Sequence, residues 1–298
     1  MNFKKAKIRC SDLYSVMSLT SKNRKLTDKQ SVELDKLLSK EELTEKQDIR
    51  LKELSERRNN ELKLEILSKG CITTLVDVYS RYKYDKNEPT FQGEYVPSLM
   101  NGTLSEGASL KILSELDGVD YKLEKSVISN SYLSGIIDAY IGDKPKGAKV
   151  IIDVKTATSL QSLLVNLRKD VKPQYYWQMM GYLFITGADY GEVCHVLPSY
   201  HPTIIESELQ KLKHRLSILE LDEKELDIKC NRLIDSLTFD DIDIRKRVVR
   251  FRIEPDKKVF KQIKEKIKHC REWLSLLDKE HTALNDKKET EYREEDNT

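Results

Sequence analysis

Two charged residues stand at the end of a segment that otherwise has the composition of a buried strand. In the stretch VIIDVKTATS, residues 150–159, three β-branched aliphatic residues precede Asp153, and Val154 separates it from Lys155. Runs of Val and Ile are typical of buried strands, and side chains alternate between the two faces of a strand. Asp153 and Lys155 therefore share one face, where they form either a plain ion pair or part of a catalytic site.

A second carboxylate belongs to the preceding predicted strand. Asp138 follows two isoleucines in the segment SGIIDAY, and we expect it in the middle of that strand, where aspartate is unfavourable and costly to bury unpaired. Adjacent antiparallel strands joined by a short loop would bring Asp138 beside Asp153. Two carboxylates at close range repel each other, and a divalent cation between them relieves the repulsion. The pair therefore predicts a metal site, with Lys155 at its edge.

The elements that would position these residues indicate an α/β chain. We expect a small mixed β-sheet with an antiparallel meander at its core, flanked by helices. Strands are predicted from β-branched runs bounded by turn residues, at 120–128, 131–142, 148–155, 190–197 and 246–253. Helices are predicted at 9–21, 71–83, 103–116, 160–168, 173–186 and from Pro255 to about 283, with a loop at 86–102.

Two charged helical segments and a polar tail lie outside this core. The segment 27–69 is predicted to be a helical hairpin that ends at Gly70, and 203–236 is predicted to be a helical pair. Their leucines are spaced for core or oligomer contacts. The segment 284–298 is too polar to pack and is predicted to be disordered. Capping boxes in the first segment pair Thr27 with Gln30 and Thr44 with Gln47, and the leucine stripes comprise Leu34, Leu37, Leu38, Leu51, Leu54, Leu62, Ile66, Leu209, Leu212, Leu216, Leu219 and Leu221.

Composition excludes several classes of protein. The chain has 298 residues with 39% hydrophobic and 34% charged residues, which is typical of a water-soluble, helix-rich protein. No segment approaches the length of an apolar membrane span, and the basic N-terminus lacks the apolar stretch of a signal peptide. The five cysteines have no Cys-x-x-Cys spacing, which argues against an iron–sulfur cluster, a zinc knuckle or a disulfide scaffold. We therefore expect a reducing cytoplasm.

The charged and polar pattern along the chain resembles the PD-(D/E)xK nuclease superfamily. Asp138, followed by Asp153 and Lys155 on the next strand, is similar to the superfamily's defining motif. In the helix after the lysine strand, YYWQMMGYLF places Gln178 and Tyr182 one turn apart, as in the RecB-like branch and the phage lambda-type exonuclease (YqaJ-like viral recombinase) branch.

Three further segments resemble the same branch. NGTLSEGASLKIL looks like the helix that supplies a glutamate, here Glu106, and IRCSDLYSVM is similar to an N-terminal serine motif, here Ser11. The last strand and helix look like the end of the family's fold. The resemblance covers residues 1–20, about 95–202 and 246–280, so the two charged helical segments lie outside it.

The resemblance implies a single nuclease domain over the whole chain that hydrolyses DNA with Mg²⁺, or with Mn²⁺ in its place. Metal ligands would be Asp138, Asp153, the backbone carbonyl of Val154 and, directly or through water, Glu106. Lys155 would orient or help deprotonate the attacking water. Gln178 would complete the catalytic set, and with Tyr182 it would hold Lys155 or the substrate strand. The substrate-binding set is Ser11, Tyr182, Lys4, Lys5 and Arg9.

The lambda-type branch further implies digestion of double-stranded DNA from an end, in the 5′-to-3′ direction, in phage or prophage recombination. The basic N-terminus, including Lys4, Lys5 and Arg9, could hold a 5′-phosphate, although a solvated basic tail is an equal alternative. Relatives of this type form ring-shaped homo-oligomers and pair with a single-strand annealing protein. The expected setting is the cytoplasm of a bacterium or of a phage-infected host.

Other readings stay open. A structure- or site-specific DNA endonuclease of the same superfamily would carry the same residues, and an inactive nuclease fold could serve as a DNA-binding or scaffold module. Taken singly, Glu106 could be a solvent-facing helix residue, Gln178 and Tyr182 could be packing residues, and Ser11 could cap a helix. His195, His201 and His214 show no ligand spacing and are expected to be structural or on the surface.

Overall fold

The structure, a computed structural model, describes residues 3–21, 23–40, 42–61, 63–86, 97–217 and 222–295. In chain order its helices are α1 (Leu13–Met17), α2 (Asp28–Leu38), α3 (Glu45–Asn59), α4 (Lys69–Tyr84), α5 (Pro97–Leu104), α6 (Glu106–Asp117), α7 (Leu160–Asn166), α8 (Pro173–Thr186), α9 (Pro202–Leu216), α10 (Glu223–Leu237) and α11 (Lys257–Glu295). The strands are β1 (Ile8–Arg9), β2 (Lys122–Leu123), β3 (Ile128–Ser129), β4 (Leu133–Gly135), β5 (Ala139–Ile141), β6 (Val150–Thr156), β7 (Tyr190–Val196) and β8 (Val248–Ile253).

The chain divides into two compact units. The first consists of Met1–Glu88, Ser131–Leu133 and Asp256–Thr298, and the second of Pro89–Asn130 and Ser134–Pro255. The α/β class predicted from the sequence is confirmed, because small sheets are flanked by helices. The extent of one functional domain over the whole chain stays a prediction. Among the described helices, none is both long and apolar enough to cross a membrane.

The second unit is built on a five-stranded mixed sheet with the order β2-β5-β6-β7-β8. β5 and β6 are antiparallel, with Ala139 opposite Ile152, whereas β6 and β7 are parallel and β8 is antiparallel to β7. The antiparallel core of the predicted meander is therefore present. Its first two strands are each broken, because β3 and β4 form a separate antiparallel pair instead of extending β2 and β5.

The break before β5 corrects the expected position of Asp138. Residues 136–138 are not strand, so Asp138 lies at a bend immediately before β5 rather than in the middle of a strand. Its side chain replaces a main-chain partner, because Asp138 Oδ2 accepts a hydrogen bond from the backbone N–H of Val154 at 2.6 Å. The three-residue β5 ends before it can pair with the backbone N–H of Val154, and the side chain of Asp138 accepts that hydrogen bond instead.

Each face of the sheet is covered by helices. Val150 and Ile152 of β6 pack with Leu110 and Leu113 of α6 in one buried cluster, and the partly buried Val154 packs against it. The opposite face carries α8, which approaches β7 so closely that a side chain at Gly191 would overlap Met179. Because side chains alternate along β6, Asp153 and Lys155 share the face that is covered by α8.

The first unit contains the predicted helical hairpin. Both capping boxes are formed at the starts of α2 and α3, and Leu34, Leu37 and Leu54 are buried between the helices. The second helix ends earlier than predicted, at Asn59, and Gly70 lies inside α4 rather than ending α3. Two carbonyl groups of the segment between α3 and α4 accept hydrogen bonds from α11, because the buried Lys266 Nζ donates to Leu64 O and Ile66 O.

Other helix boundaries also differ from the predicted ones. The predicted loop at 86–102 ends in α5, and residues 87–96 of that loop lie outside the described residues, as do Leu62, Leu219 and Leu221. The predicted pair at 203–236 is present as α9 and α10. The last helix, α11, starts at Lys257 and continues to Glu295, into the segment for which disorder was predicted; Lys and Glu are good helix formers.

Candidate active site

The end of β6 places a carboxylate, Asp153, and an ammonium group, Lys155, on the face beneath α8. Asp153 is buried, with a side chain that is 2% exposed, and its Oδ2 lies 2.8 Å from Lys155 Nζ. This contact is an ion pair without hydrogen-bond alignment, because Asp153 Oδ2 has no hydrogen-bond partner among the described residues. Because the carboxylate of Asp153 is removed from water, the strand end is not an ordinary surface ion pair.

Asp138 lies close enough to Asp153 for the two charges to interact strongly. Burial raises the pKa of Asp138 to about 7, and the neighbouring charge of Asp153 adds to this effect. The Val154 N–H and the charge of Lys155 act in the opposite direction but do not cancel it. Burial also raises the pKa of Asp153, against the opposing charge of Lys155. The charge of Lys155 thus acts on both buried carboxyl groups, although Lys155 forms an ion pair only with Asp153.

Lys155 is also held from α8. Its Nζ lies 3.5 Å from Gln178 Oε1, and Gln178 Nε2 donates to the hydroxyl of the buried Tyr182 at 2.8 Å. The two α8 residues lie one helical turn apart on the same face, so they form a short relay that ends on the lysine. The sequence grouped these residues with Lys155, and the structure brings them together.

Glu106 and Val154 complete the predicted metal set. Glu106 is the first residue of α6 and is half-buried, and its charge contributes to the raised pKa of Asp138, which places it within electrostatic reach. The N–H of Val154 faces Asp138. Because the N–H and C=O of one strand residue point to the same edge, the Val154 carbonyl faces that side as well.

The donor set suits a hard divalent cation. Two buried carboxylates with raised pKa values and a backbone carbonyl on the same edge are the oxygen ligands that Mg²⁺ and Mn²⁺ prefer. Within the described ranges, no three His, Cys, Asp or Glu side chains cluster closely enough to hold an ion. The fit therefore depends on two side chains and a backbone oxygen, with Glu106 outside the immediate set.

The other predicted substrate-binding residues belong to the first unit. Lys4, Lys5 and Arg9 are exposed near the start of the chain, and Ser11 is exposed with its Oγ 3.4 Å from Asp12 Oδ1. Ser11 does not cap α1, since the residue at that cap is Asp12. Their contact with DNA stays a prediction.

Two residues beside Lys155 were not assigned to the site from the sequence. The Tyr175 ring lies 4.9 Å from Lys155 Nζ, and the buried His195, opposite Lys155 on β7, lies 5.8 Å from that ring. Tyr175 precedes Gln178 by three positions, so helical spacing alone could have placed it on the same face. His195 had no such signal, because the parallel pairing of β6 with β7 is not visible in the sequence.

The cysteines form no disulfide among the described residues. All five are buried with free thiols, and Cys71 Sγ and Cys270 Sγ lie 4.0 Å apart in the first unit.

Comparison with solved structures identifies the fold. The chain is similar to a phage-related exonuclease from Haemophilus somnus 129PT, with a TM-score of 0.57 at 15% identity over 92% of this chain and 96% of that one. It is also similar to the alkaline exonuclease LHK-Exo from Laribacter hongkongensis, with a TM-score of 0.51 at 10% identity over 94% of this chain and 96% of that one. A complex of LHK-Exo with dAMP gives a TM-score of 0.50 at 12% identity, with the same shares of the two chains covered.

These matches confirm the exonuclease-like fold that the sequence motifs indicated. No family model matches the chain, and no curated protein sequence matches it. At such low identity the similarity shows the fold alone, and the activity depends on the residues of the site.

Proposed function

We propose that the protein is a Mg²⁺-dependent DNA exonuclease that hydrolyses phosphodiester bonds from the ends of duplex DNA in the 5′-to-3′ direction, in phage or prophage recombination. The observation that carries the proposal is the buried pair Asp138 and Asp153 with Lys155 beside it. The similarity in fold to phage-related and alkaline exonucleases supports the choice of substrate.

Each residue has a chemical task in this proposal. Asp138, Asp153 and the Val154 carbonyl would hold the cation, with Glu106 acting directly or through water. A cation bound there would withdraw charge from the phosphate and stabilise the charge that develops in the transition state. The Lys155 ammonium group donates hydrogen bonds and accepts none, so it would orient the attacking water through the water oxygen and offset the phosphate charge. Gln178 and Tyr182 would restrict Lys155 to the orientation in which it faces the reaction.

The basic residues near the start of the chain would bind the end of the DNA. The exposed Lys4, Lys5 and Arg9 would recognise a 5′-phosphate, and Ser11 would contribute a hydroxyl to the same contact. The protein would form a ring-shaped homo-oligomer, and its partner would be a single-strand annealing protein.

The test is digestion of linear duplex DNA that is labelled at either the 5′ or the 3′ end, compared with a closed circular duplex, in Mg²⁺ and in EDTA. We expect release of the 5′ label as mononucleotide first, no cutting of the circle and no activity in EDTA. Asp153→Asn serves as the inactive control, because it retains the shape of the side chain. Cutting of the circle would indicate an endonuclease, and full activity in EDTA would contradict the metal site.

A further inference from the structure

A cleft of about 480 Å³ opens beside the candidate active site within the second unit. Its walls are the end of β6, the segment that leads into α7, α7 itself, the connection from α7 to α8 and the start of α8, together with the buried His195 of β7. Lys155 lines this cleft and also contacts Asp153, so the cleft begins where the proposed chemistry takes place.

The cleft is positively charged. Lys155, Lys169 and Lys172 line it, and no Asp or Glu is among its lining residues. Lys169 and Lys172 are exposed, and within the described part of the chain neither forms an ion pair. His195 responds to this charge: its pKa is lowered to about 4 by burial and then by the charges of Lys172 and Lys155. The cleft thus has the potential that attracts an anion.

An aromatic ring lies near two of these cations. Tyr175 has Lys155 Nζ at 4.9 Å and Lys172 Nζ at 5.5 Å from its ring centre. The ring is half-buried and contacts His195, which in turn lies 3.5 Å from the Asn166 amide. Proteins bind single-stranded nucleic acid by combining two features. Positively charged side chains contact the phosphates of its backbone, and an aromatic ring stacks on a base.

We propose that this cleft binds the single-stranded nucleotide next to the one that is cut, with Lys169 and Lys172 on its phosphates and Tyr175 against its base. This inference rests on the proposed nuclease function. The volume suits one nucleotide and not a duplex, and an unstacked base is required for contact with the ring. Binding here would be independent of base sequence, because every base offers a stacking face.

The test measures binding of a short single-stranded oligonucleotide by fluorescence anisotropy in EDTA, across a series of salt concentrations. The double variant Lys169→Ala, Lys172→Ala is compared with Lys224→Ala, Lys229→Ala, which removes the same charge from exposed positions on α10 of the same unit. Two lost phosphate contacts should reduce the slope of log affinity against log salt by about 1.4 in the cleft variant. The control variant should retain the slope of the wild-type protein.

Tyr175 supplies a second readout. Tyr175→Ala should weaken binding by roughly 5- to 150-fold for every base composition tested, whereas Tyr175→Phe, which keeps the ring, should retain most of the affinity. Equal binding by Tyr175→Ala and wild-type protein would contradict the stacking contact. Thermal unfolding of each variant establishes that it is folded.

The outcomes separate this inference from the proposed activity. If the wild-type protein cuts DNA but the cleft variant keeps the wild-type salt slope, the inference is wrong and the nuclease proposal stands. If the cleft variant shows the reduced salt slope while the wild-type protein cuts no DNA, the cleft binds single strands and the nuclease proposal fails. The phosphate that the cleft binds could also belong to a free mononucleotide, so each variant is also titrated with a deoxynucleoside 5′-monophosphate. Loss of mononucleotide binding with an unchanged oligonucleotide slope would make the cleft a product site and overturn the strand proposal.

Discussion

Two clusters of charge on the same sheet differ in how their carboxylates are satisfied. At one, Arg250 of β8 donates to Asp117 at 2.8 Å and to Glu192 at 3.3 Å, and all three side chains are partly exposed. At the other, Lys155 also faces two carboxylates, yet it pairs only with Asp153, whose Oδ2 lacks an aligned donor.

Both clusters carry one cation for two acids, so the count of charges does not distinguish them. The two clusters differ in the number of hydrogen-bond donors that the cation offers and in the exposure of the carboxylates to water. Arg250 can satisfy two carboxylates at once through its fork of N–H groups, and water screens what remains. Asp138 and Asp153 are enclosed and retain raised pKa values. The first arrangement is that of a structural ion-pair cluster, and the second is the arrangement expected of a site that binds a cation.

The largest effect should come from removing the lysine of the second cluster. Lys155→Ala should lower cleavage by roughly 100-fold or more while folding and DNA binding change little, since the loss is of electrostatic help to the reaction. Arg250→Ala, the matched change in the first cluster, should cost about 1–2 kcal/mol of stability and leave cleavage within a few-fold. Single-turnover digestion and urea unfolding measure the two effects. Near-normal cleavage by folded Lys155→Ala protein would reduce Asp153 and Lys155 to a structural ion pair.

The next effect concerns stability without metal. Asp138→Asn keeps an acceptor for the Val154 N–H but removes a carboxylate whose pKa is raised, so it should stabilise the protein in EDTA by on the order of 1–3 kcal/mol. Asp143→Asn, at an exposed turn position, serves as the control and should change little. A destabilised Asp138→Asn protein would contradict a raised pKa for the Asp138 carboxyl group.

The same carboxylate predicts a pH dependence. The pKa of Asp138 is raised from 3.8 to about 7, so between these values the folded protein binds more protons than the unfolded chain. Stability in EDTA should therefore fall as pH rises from about 4 to about 7, by the amount that this group contributes. Thermal unfolding of wild-type protein minus that of Asp138→Asn isolates this contribution. A difference that does not vary with pH would contradict the raised pKa.

A smaller effect is expected from the relay on α8. Tyr182→Phe removes the hydroxyl that accepts from Gln178 Nε2, so Lys155 is oriented less firmly. We expect cleavage to fall roughly 3- to 10-fold in kcat, with little change in KM. Gln178→Ala should cause at least as large a loss, and the double variant should lose no more than Gln178→Ala alone. Fully additive losses would mean that the two side chains act independently.

The smallest expected effect concerns the DNA end. If the N-terminal basic residues recognise a 5′-phosphate, dephosphorylated duplex ends should be digested several-fold more slowly than phosphorylated ones. The triple change of Lys4, Lys5 and Arg9 to Ala should abolish this preference without abolishing cleavage. A preference that survives the triple change would place the 5′-phosphate contact elsewhere.

The sequence was sufficient to predict the class of fold and the grouping of Asp153, Lys155, Gln178 and Tyr182. Alternation along β6 and the helical spacing on α8 are local rules, and both hold in the structure. The position of Asp138 was predicted less well, because its bend depends on a hydrogen bond to Val154, a residue of the next strand. His195 was assigned to no site, since its place beside Tyr175 depends on the long-range pairing of β6 with β7.

The most direct test of the metal site is a crystal structure of the wild-type protein with Mn²⁺, in which anomalous scattering locates the ion. We predict a peak between the carboxylates of Asp138 and Asp153, in contact with the Val154 carbonyl, and its loss in Asp153→Asn. Ordered Mn²⁺ elsewhere on the protein with no peak between these two residues would contradict the account.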